Sequence, residues 1–270
     1  MNRLGAAAAT SAAVAGVAHA APAVLAWRAL RCRITPALAG IGRADHVALT
    51  FDDGPDSAST PVVLDALDRL GWKATFFLLG PNARCAPSLA RELVERGHEV
   101  AVHGERHDSH LTRFGWDSRS DIGLARDTVA DAAGAEPVWF RPPYGTLSTP
   151  VLLAARRLGL RTVLWTAWGR DWRAEATPAS VTADVTAGLE PGATVLLHDS
   201  DCTSAPGSWR STVGALPMLA DVFADRGLTV GPLRDHAIAT TGAFNGAPPA
   251  DPSKGANPKL KMPPSAAANQ

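Results

Sequence analysis

The chain contains little cysteine and no excess of charge of either sign. Its three cysteines, Cys32, Cys85 and Cys202, are scattered over 270 residues and form no C-x-x-C pair. This spacing argues against a thiolate zinc site and against a disulfide-built scaffold. The 26 basic residues balance the 26 acidic ones, and no basic stripe is visible. A nucleic-acid partner is therefore not expected.

Charged residues are also missing from a long stretch near the amino terminus. Between Leu4 and Trp27 the side chains are uncharged and mostly small, and arginines flank the stretch. As a secretory signal it has an A-x-A-like cleavage site over residues 18–20; as an uncleaved anchor it is long enough to span a membrane. The arginines that follow, together with His19 and Pro22, favour export with cleavage over anchoring. A packed alanine-rich helix is the third alternative.

From residue 41 to residue 241, short apolar stretches alternate with amphipathic helices that end at glycine. Thr60-Pro61, Thr149-Pro150 and Thr177-Pro178 are typical helix starts. This alternation predicts an α/β domain with a parallel sheet, either open or closed into a barrel. The seven predicted strands are His46–Phe51, Ala74–Leu79, Glu99–Val102, Val138–Phe140, Thr162–Trp165, Thr194–Leu197 and Leu228–Val230. Residues 1–40 form the export signal or membrane segment with a linker, and the Pro/Ala-rich residues 242–270 are predicted to be a disordered tail.

Polar side chains follow five of the predicted strands at the point where each strand ends. They are Asp52 and Asp53, His103, Arg141, Asp171, and His198. Barrels and open α/β sheets build their active sites at this edge. Polar residues with a purely structural role would be expected at both ends of the strands. The pattern therefore predicts an enzyme whose active site lies at the carboxyl edge of the sheet.

Adjacent carboxylates together with a His-x-x-x-His pair indicate a hydrolytic metal centre. One carboxylate and two imidazoles can hold a divalent ion, and the second carboxylate can take a proton from a water that the ion activates. His103 and His107 are the preferred histidine pair, because His103 directly follows a strand; His107 with His110 is the alternative. His46 and His98 begin strands at the opposite edge of the sheet and are predicted to be structural.

Five motifs occur in a specific order: Thr-Phe-Asp-Asp-Gly-Pro at 50–55, His-x-x-x-His at 103–107, Arg-Pro-Pro-Tyr-Gly at 141–145, Asp-Trp at 171–172 and Leu-Leu-His at 196–198. Over about residues 44–235 they resemble the successive motifs of the polysaccharide deacetylases, the NodB-homology enzymes of carbohydrate esterase family 4. The resemblance implies a distorted (β/α) barrel of about seven parallel strands. It also implies a divalent metal, usually zinc, and removal of N- or O-linked acetyl groups from chitin, peptidoglycan or xylan.

The resemblance also implies a role for each motif residue. Asp52 would be the general base, and His198 would protonate the leaving amine. The backbone N–H of Tyr144 would help to hold the oxyanion, and Arg141 would orient Asp52 and keep it ionised. The implied metal ligands are Asp53, His103 and His107.

The chain departs from the family pattern in its fourth motif. Trp168 stands where these enzymes usually carry a first carboxylate, so Asp171 or Asp199 substitutes for it, or His198 has a lower pKa than in typical members. Gly104 also replaces the usual Ser or Thr of the second motif. Several aromatic residues near these strand ends are predicted to stack on sugar rings, whereas Trp165 is expected to pack in the core. The predicted sugar-binding residues are Tyr144, Trp168, Trp172 and Trp209.

These observations favour a metal-dependent N-deacetylase that acts on an acetylated amino-sugar polymer or oligomer, exported or bound at a bacterial cell envelope. Zinc is the expected cofactor, and an acetylated polysaccharide or oligosaccharide is the expected partner. One alternative is a hydrolase of another carbon–nitrogen or ester bond, such as O-acetyl xylan or a small cyclic amide. Another is a carbohydrate-binding pseudoenzyme that has lost turnover.

Overall fold

The computed structural model describes residues 3–113 and 115–239. The predicted tail, residues 242–270, lies outside the described residues. The strands are β1 (His46–Asp52), β2 (Thr75–Leu79), β3 (Glu99–Gly104), β4 (Trp139–Phe140), β5 (Arg161–Thr162), β6 (Ala167–Trp168), β7 (Thr194–His198) and β8 (Thr229–Gly231). The helices are α1 (Arg3–Ala20), α2 (Arg28–Ile34), α3 (Pro36–Ala39), α4 (Thr60–Leu70), α5 (Gly80–Cys85), α6 (Pro87–Glu95), α7 (Gly115–Ala133), α8 (Thr149–Arg157), α9 (Pro178–Gly188) and α10 (Trp209–Asp225).

All pairings between these strands are parallel. The strand order is β5-β4-β3-β2-β1-β7-β6, and β8 also pairs with β1. Every residue of β1 and β2 is buried, as expected of parallel strands that are covered on both faces. The sheet curls into an incomplete barrel with β5 and β6 at its two edges, which confirms the predicted distorted (β/α) barrel.

The fifth predicted strand is the least accurate of the seven. The prediction was Thr162–Trp165, but the sheet takes up only Arg161–Thr162, and the short strand Ala167–Trp168 was not predicted. Between them the chain leaves the sheet, because the Leu164 N–H donates to the carbonyl of Leu38, 2.8 Å away. A run of apolar, β-forming residues predicts a strand, but it forms one only where another strand supplies its hydrogen bonds. Here the hydrogen-bond partner of Leu164 lies in the amino-terminal segment instead of in a strand.

Local capping chemistry explains where the helices begin. Thr177 caps α9 with a hydrogen bond from the Ser180 N–H, as its sequence predicts. The N-cap of α8 is Ser148, one residue before the predicted Thr149, and its hydroxyl accepts from the Val151 N–H. The N-cap of α4 is likewise Ser59. A Ser-Thr-Pro sequence offers two hydroxyl residues, and proline occupies the second helical position instead of the first.

The amino-terminal segment changes character near Leu25. In α1, Val14 and Val17 are exposed, whereas Leu25 and Leu38 are buried against the barrel. The segment after α1 therefore closes the gap between β5 and β6. No single helix in the described ranges is both long and apolar enough to cross a membrane. The bent pair 10–26 and 28–34, whose two arms meet at 97°, meets the length and composition criteria together.

Candidate active site

The carboxyl ends of the strands surround a cavity of about 250 Å³. Eight of the eleven predicted site residues line it. Arg141 and Asp171 lie directly behind the cavity wall, and Trp209 begins α10 and does not line the cavity. The cavity is lined by Asp52, Asp53, His103, His107, Tyr144, Trp165, Trp168, Trp172, Leu196, His198, Thr203 and Ser204.

The turn after β1 brings both aspartates to this cavity. Asp53 adopts a left-handed backbone conformation (φ 79°), which aspartate tolerates better than most residues. Gly54 follows because the chain passes close to Asp199: a Cβ at position 54 would lie 2.2 Å from an Asp199 carboxylate oxygen. The Asp-Asp-Gly sequence is therefore required by backbone geometry as well as by the chemistry of its side chains.

Asp53, His103 and His107 bring three ligand atoms together, all within 4.8 Å of one another. Asp53 Oδ1 lies 3.3 Å from His103 Nε2 and 3.4 Å from His107 Nε2. Two ligands each about 2.1 Å from a tetrahedral ion lie about 3.4 Å apart. These separations therefore suit a divalent ion between the three side chains.

The hydrogen bonds of His103 and His107 involve Nδ1, which leaves the Nε2 atom of each ring free to bind an ion. His103 Nδ1 donates to the carbonyl of Arg141 at 2.9 Å, so the lone pair of the neutral ring is on Nε2. His107 Nδ1 lies 3.2 Å from the Tyr144 hydroxyl, which leaves its Nε2 free as well. Asp53 Oδ1 is buried and has no hydrogen-bond partner. An orphaned carboxylate oxygen facing two imidazole nitrogens is the donor set that a divalent ion requires.

The electrostatics of the group favour positive charge at its centre. Burial alone would raise the pKa of Asp53, but His103 and the other nearby histidines hold it far below its usual range. Burial alone would lower the pKa of His103, yet Asp52 and Asp53 raise it above the usual value. For His107, burial and the charge of His103 lower the pKa. The field that stabilises a charged His103 is also the field that attracts a cation.

Asp52 is held by a fully buried arginine. Arg141 Nη1 donates to Asp52 Oδ1 at 2.7 Å and to the Thr50 hydroxyl at 2.9 Å. Its other terminal nitrogen donates to the Leu164 carbonyl, and its guanidinium stacks on Phe77 with 4.0 Å to the ring centroid. Asp52 Oδ2 faces His103 Nε2 at 3.8 Å. One carboxylate oxygen is therefore bound to Arg141, while the other faces the ligand group.

His198 has its own carboxylate partner, Asp171. His198 Nδ1 lies 2.8 Å from Asp171 Oδ1, and the His198 backbone N–H donates to Asp171 Oδ2 at 2.7 Å. Thr212 also donates to Asp171. Burial would lower the pKa of His198, but the Asp171 carboxylate outweighs it and raises the pKa to about 10. Of the two carboxylates that could replace the missing motif residue, the structure places Asp171 on His198, whereas Asp199 accepts from Thr60.

Aromatic side chains form part of the cavity wall. The rings of Trp165, Trp168 and Trp172 follow one another with centroids 5.7 and 5.0 Å apart. Tyr144 packs edge-on to His107, with 4.6 Å between the ring centroids. Trp165 packs against the hydrophobic core, as predicted, and also lines the cavity, because it belongs to the stretch that leaves the sheet after β5.

Two polar residues that the motifs did not single out, Thr203 and Asn82, support Asp53. Thr203 donates to Asp53 Oδ2 at 2.5 Å, and Asn82 donates to the Asp53 carbonyl at 2.7 Å. Asp199 is fully buried and accepts from Thr60, and burial raises its pKa to about 7. Thr203 lies in the loop after β7 and Asn82 in α5. No local sequence feature distinguishes them from other polar residues, since tertiary packing alone brings them to Asp53.

The alternative histidine pair is not assembled. His110 is fully buried, and its Nε2 lies 4.0 Å from an Asp121 oxygen. It is not part of the group that converges on Asp53. Burial lowers its pKa to about 4, so it is a neutral buried histidine at neutral pH.

Comparisons with known proteins agree with this geometry. A family profile described as polysaccharide deacetylase matches residues 39–163. The chain is 37% identical over 193 residues to a chitooligosaccharide deacetylase of Sinorhizobium fredii, covering 69% of this chain and 89% of the relative. It is 38% identical over 160 residues to the peptidoglycan-N-acetylglucosamine deacetylase PgdA of Listeria monocytogenes, covering 59% of this chain. The match spans only 34% of the length of that relative.

Solved structures show the same fold. A family 4 carbohydrate esterase from Streptomyces lividans, in complex with acetate, superposes with a TM-score of 0.64 at 30% identity over 72% of this chain and 97% of the other. A CE4 family pseudoenzyme from Bacillus anthracis superposes with a TM-score of 0.65 at 26% identity over 71% of this chain and 65% of the other. Sequence coverage, motif order and fold lead to one conclusion: the chain belongs to the polysaccharide deacetylase family, the NodB-homology or CE4 carbohydrate esterases.

Proposed function

We propose that this protein is a metal-dependent deacetylase that removes N-acetyl groups from an acetylated amino-sugar polymer or oligomer, of the peptidoglycan or chitin type. The observation that carries the proposal is the convergence of Asp53, His103 and His107 beside two further groups that can move protons, Asp52 and His198. Relatives named for deacetylation of peptidoglycan and of chitooligosaccharides support the substrate class.

Asp53, His103 and His107 would hold the ion, and an all-N/O donor set of this size suits zinc. When bound, the ion lowers the pKa of a water and polarises the acetyl carbonyl. Asp52 lies beside the group with one oxygen free, so it is placed to accept the proton of the attacking water. Arg141 fixes the orientation of Asp52 through the 2.7 Å contact.

The leaving amine needs a proton, and His198 is the group that can supply it. Its ring lines the cavity, and Asp171 on Nδ1 directs Nε2 away from that partner. With a pKa raised to about 10, His198 is protonated at neutral pH, as a general acid must be before it acts.

The remaining residues position the substrate. Tyr144 adopts a left-handed conformation (φ 59°) in the turn after β4. Its backbone N–H is proposed to donate a hydrogen bond to the oxyanion. The faces of Trp165, Trp168 and Trp172 offer apolar surface on which sugar rings can stack. We assign Trp209 no part in this wall, since it lies outside the cavity.

The same residues would also hydrolyse O-acetyl xylan or a small cyclic amide, and a sugar-binding pseudoenzyme would keep the ligand group. A substrate panel separates these alternatives. Acetate release is measured with N-acetylglucosamine oligomers, peptidoglycan fragments and acetylated xylan, each with added zinc and with chelator. We expect zinc-dependent release from the amino-sugar substrates. Release only from xylan would support the esterase alternative, and no release from any substrate by a zinc-loaded protein would support either a small cyclic-amide hydrolase or the pseudoenzyme.

We also propose export to the cell envelope, with cleavage after Ala20. The side chains of α1 that face solvent, such as Val14 and Val17, contribute little to the barrel, whereas Leu25 and Leu38 pack against it. Cleavage after Ala20 would remove the first set and keep the second. Mass spectrometry of the mature protein should find Ala21 at the amino terminus; an intact Met1 would contradict cleavage.

A further inference from the structure

A second cavity, of about 270 Å³, lies beside the candidate active site. The two cavities share three aromatic residues as a common wall: Tyr144, Trp165 and Trp168. The far side of the second cavity is formed by the segment that closes the barrel gap and by the loop after β6. The two cavities therefore adjoin at these three side chains.

The second cavity carries uncompensated positive charge. Arginines 28, 31 and 170 line it. Arg28 pairs with Glu190 at 3.0 Å, but neither Arg31 nor Arg170 has an acidic partner among residues 3–113 and 115–239. Arg170 is exposed and lies over the ring of Trp168, 5.2 Å from its centroid. Two guanidinium groups therefore face the cavity without a counter-charge.

Arg31 is the more informative of the two, because its side chain is only 4% exposed. Its terminal nitrogens donate to the carbonyls of Leu25, Ala26 and Trp165 at 2.7 to 3.1 Å. Its Nε is buried and has no partner. Carbonyl groups orient the guanidinium but do not neutralise it, and arginine is rarely buried unless it is paired.

Among residues 3–113 and 115–239, no acidic side chain compensates the charge of Arg31. Burial lowers the pKa of Arg31, the nearby Cys32 opposes this, and the positive charges of Arg28 and Arg141 lower the pKa further. A buried cation that feels two other cations attracts an anion into the adjoining cavity. The two residues of α2 that line the cavity, Arg28 and Arg31, follow Ala20 in the chain. Cleavage of the predicted export signal would therefore leave them in place.

We propose that the second cavity is a subsite for a sugar carboxylate, recognised by Arg31 and Arg170. This inference rests on the proposed function and narrows its substrate class. The preferred glycan is acidic, with a carboxylate on a sugar next to the one whose acetyl group reaches Asp53, His103 and His107. The planar guanidinium groups suit a carboxylate, and Trp165 and Trp168 can carry the sugar ring between the two cavities.

The test compares two substrates of equal length on the full chain. One is a tetrasaccharide of alternating N-acetylglucosamine and N-acetylmuramic acid with free carboxylates; the other is the same tetrasaccharide with those carboxylates reduced to alcohols. We expect wild type to favour the acidic substrate by about tenfold or more in kcat/KM, since each charge-assisted hydrogen bond contributes in this range. The exposed variant Arg170→Gln and the buried variant Arg31→Gln should each lose most of this ratio.

The control variant is Arg33→Gln, which changes an exposed arginine of the same helix α2 that does not line the cavity. It should keep the wild-type ratio. Circular dichroism checks that Arg31→Gln is folded. If Arg31→Gln is unfolded, the kcat/KM ratio of Arg170→Gln alone tests the subsite. Equal kcat/KM for the two substrates in wild type, or an unchanged ratio in Arg170→Gln, would overturn the subsite.

The design also separates this inference from the proposed function. If wild type releases acetate from N-acetylglucosamine oligomers but from neither tetrasaccharide, the subsite is overturned and the deacetylase proposal stands. If it releases acetate from none of the three, the deacetylase proposal fails, and calorimetric binding of the same two tetrasaccharides then tests the subsite. Tighter binding of the acidic one that is lost in Arg170→Gln supports the subsite, and equal binding of both overturns it.

Discussion

At the carboxyl ends of the strands, His103 and His198 lie beside carboxylates; at the amino ends, His98 and His236 lie against backbone groups, rings and another histidine. The carboxylates raise the pKa of His103 and His198 above the usual value. Burial lowers the pKa of His98 and of His236 to about 4 in both cases. The carboxyl end of the sheet therefore surrounds its histidines with groups that favour the protonated ring, and the amino end surrounds them with groups that favour the neutral ring.

The amino-end histidines form a neutral structural set. His236 Nε2 donates to the Gly192 carbonyl at 3.0 Å, and the Nδ1 atoms of His46 and His236 lie 2.8 Å apart. His98 Nδ1 accepts from the Ala74 N–H and its ring packs edge-on against Phe76. A histidine in such surroundings packs like an aromatic residue with a polar edge. A histidine that acts in catalysis instead needs a neighbouring carboxylate, which sets the charge of its ring.

The largest expected difference between the two ends is in catalysis. Asp52→Asn removes the proposed base while keeping its shape, and general base catalysis typically contributes 10²–10⁴-fold. We expect kcat for acetate release to fall by about this factor. The amino-end control His98→Gln should keep the wild-type kcat at pH 7. Comparable losses in both variants would mean that Asp52 acts only through stability.

Zinc binding should be confined to the carboxyl end. His103→Gln removes one of three ligands, and we expect zinc affinity to fall by more than about 100-fold, since even outer-shell partners are worth 10–100-fold. The control His110→Gln changes a histidine that is three residues beyond the ligand His107 but outside the ligand set, and it should bind zinc like wild type. Atomic absorption after dialysis against competing chelator measures both. Zinc retained by His103→Gln and lost by His110→Gln would favour the His107/His110 pair instead.

The pH dependence of activity should respond to Asp171. Because the folded-state pKa of His198 is raised to about 10, the charged imidazole persists through neutral pH and is lost only as the pH rises toward 10. Asp171→Asn removes the carboxylate that raises this pKa, so the alkaline limb of the kcat/KM profile should move to lower pH by about 1–3 units. A limb that stays in place would show that another group sets it.

The smallest expected effect is on stability, at the amino end. His98 has a pKa of about 4 when folded and near 6.5 when unfolded, so its contribution is complete above pH 6.5 and is lost as the pH falls toward 4. Between pH 7 and pH 5 this amounts to about 2 kcal/mol of unfolding free energy. Urea unfolding at the two pH values measures this. From pH 7 to pH 5, the unfolding free energy of His98→Gln should fall by about 2 kcal/mol less than that of wild type. An identical loss in both would assign the acid sensitivity to other groups.

The sequence predicted the fold well where one local signal was sufficient. β1 and β7 were found because they are short apolar runs, and α9 because Thr177 and Pro178 mark its start. The stretch from Thr162 to Trp168 was misassigned because its backbone partner is Leu38, more than 120 residues away in sequence. Hydrophobic pattern records the tendency to be buried but not which chain segment provides the hydrogen bonds.

By itself the sequence determined the parallel α/β plan, the placement of reactive residues at the carboxyl edge, and the motif order that defines the family. It could do so because strand periodicity and strand ends are local features. Only the tertiary structure decided that Asp171 holds His198, that Thr203 and Asn82 support Asp53, and that Arg31 is buried beside the site with no acidic partner among the described residues. Each of these depends on contacts between distant segments, and a side chain's charge state is set by those contacts rather than by its neighbours in sequence.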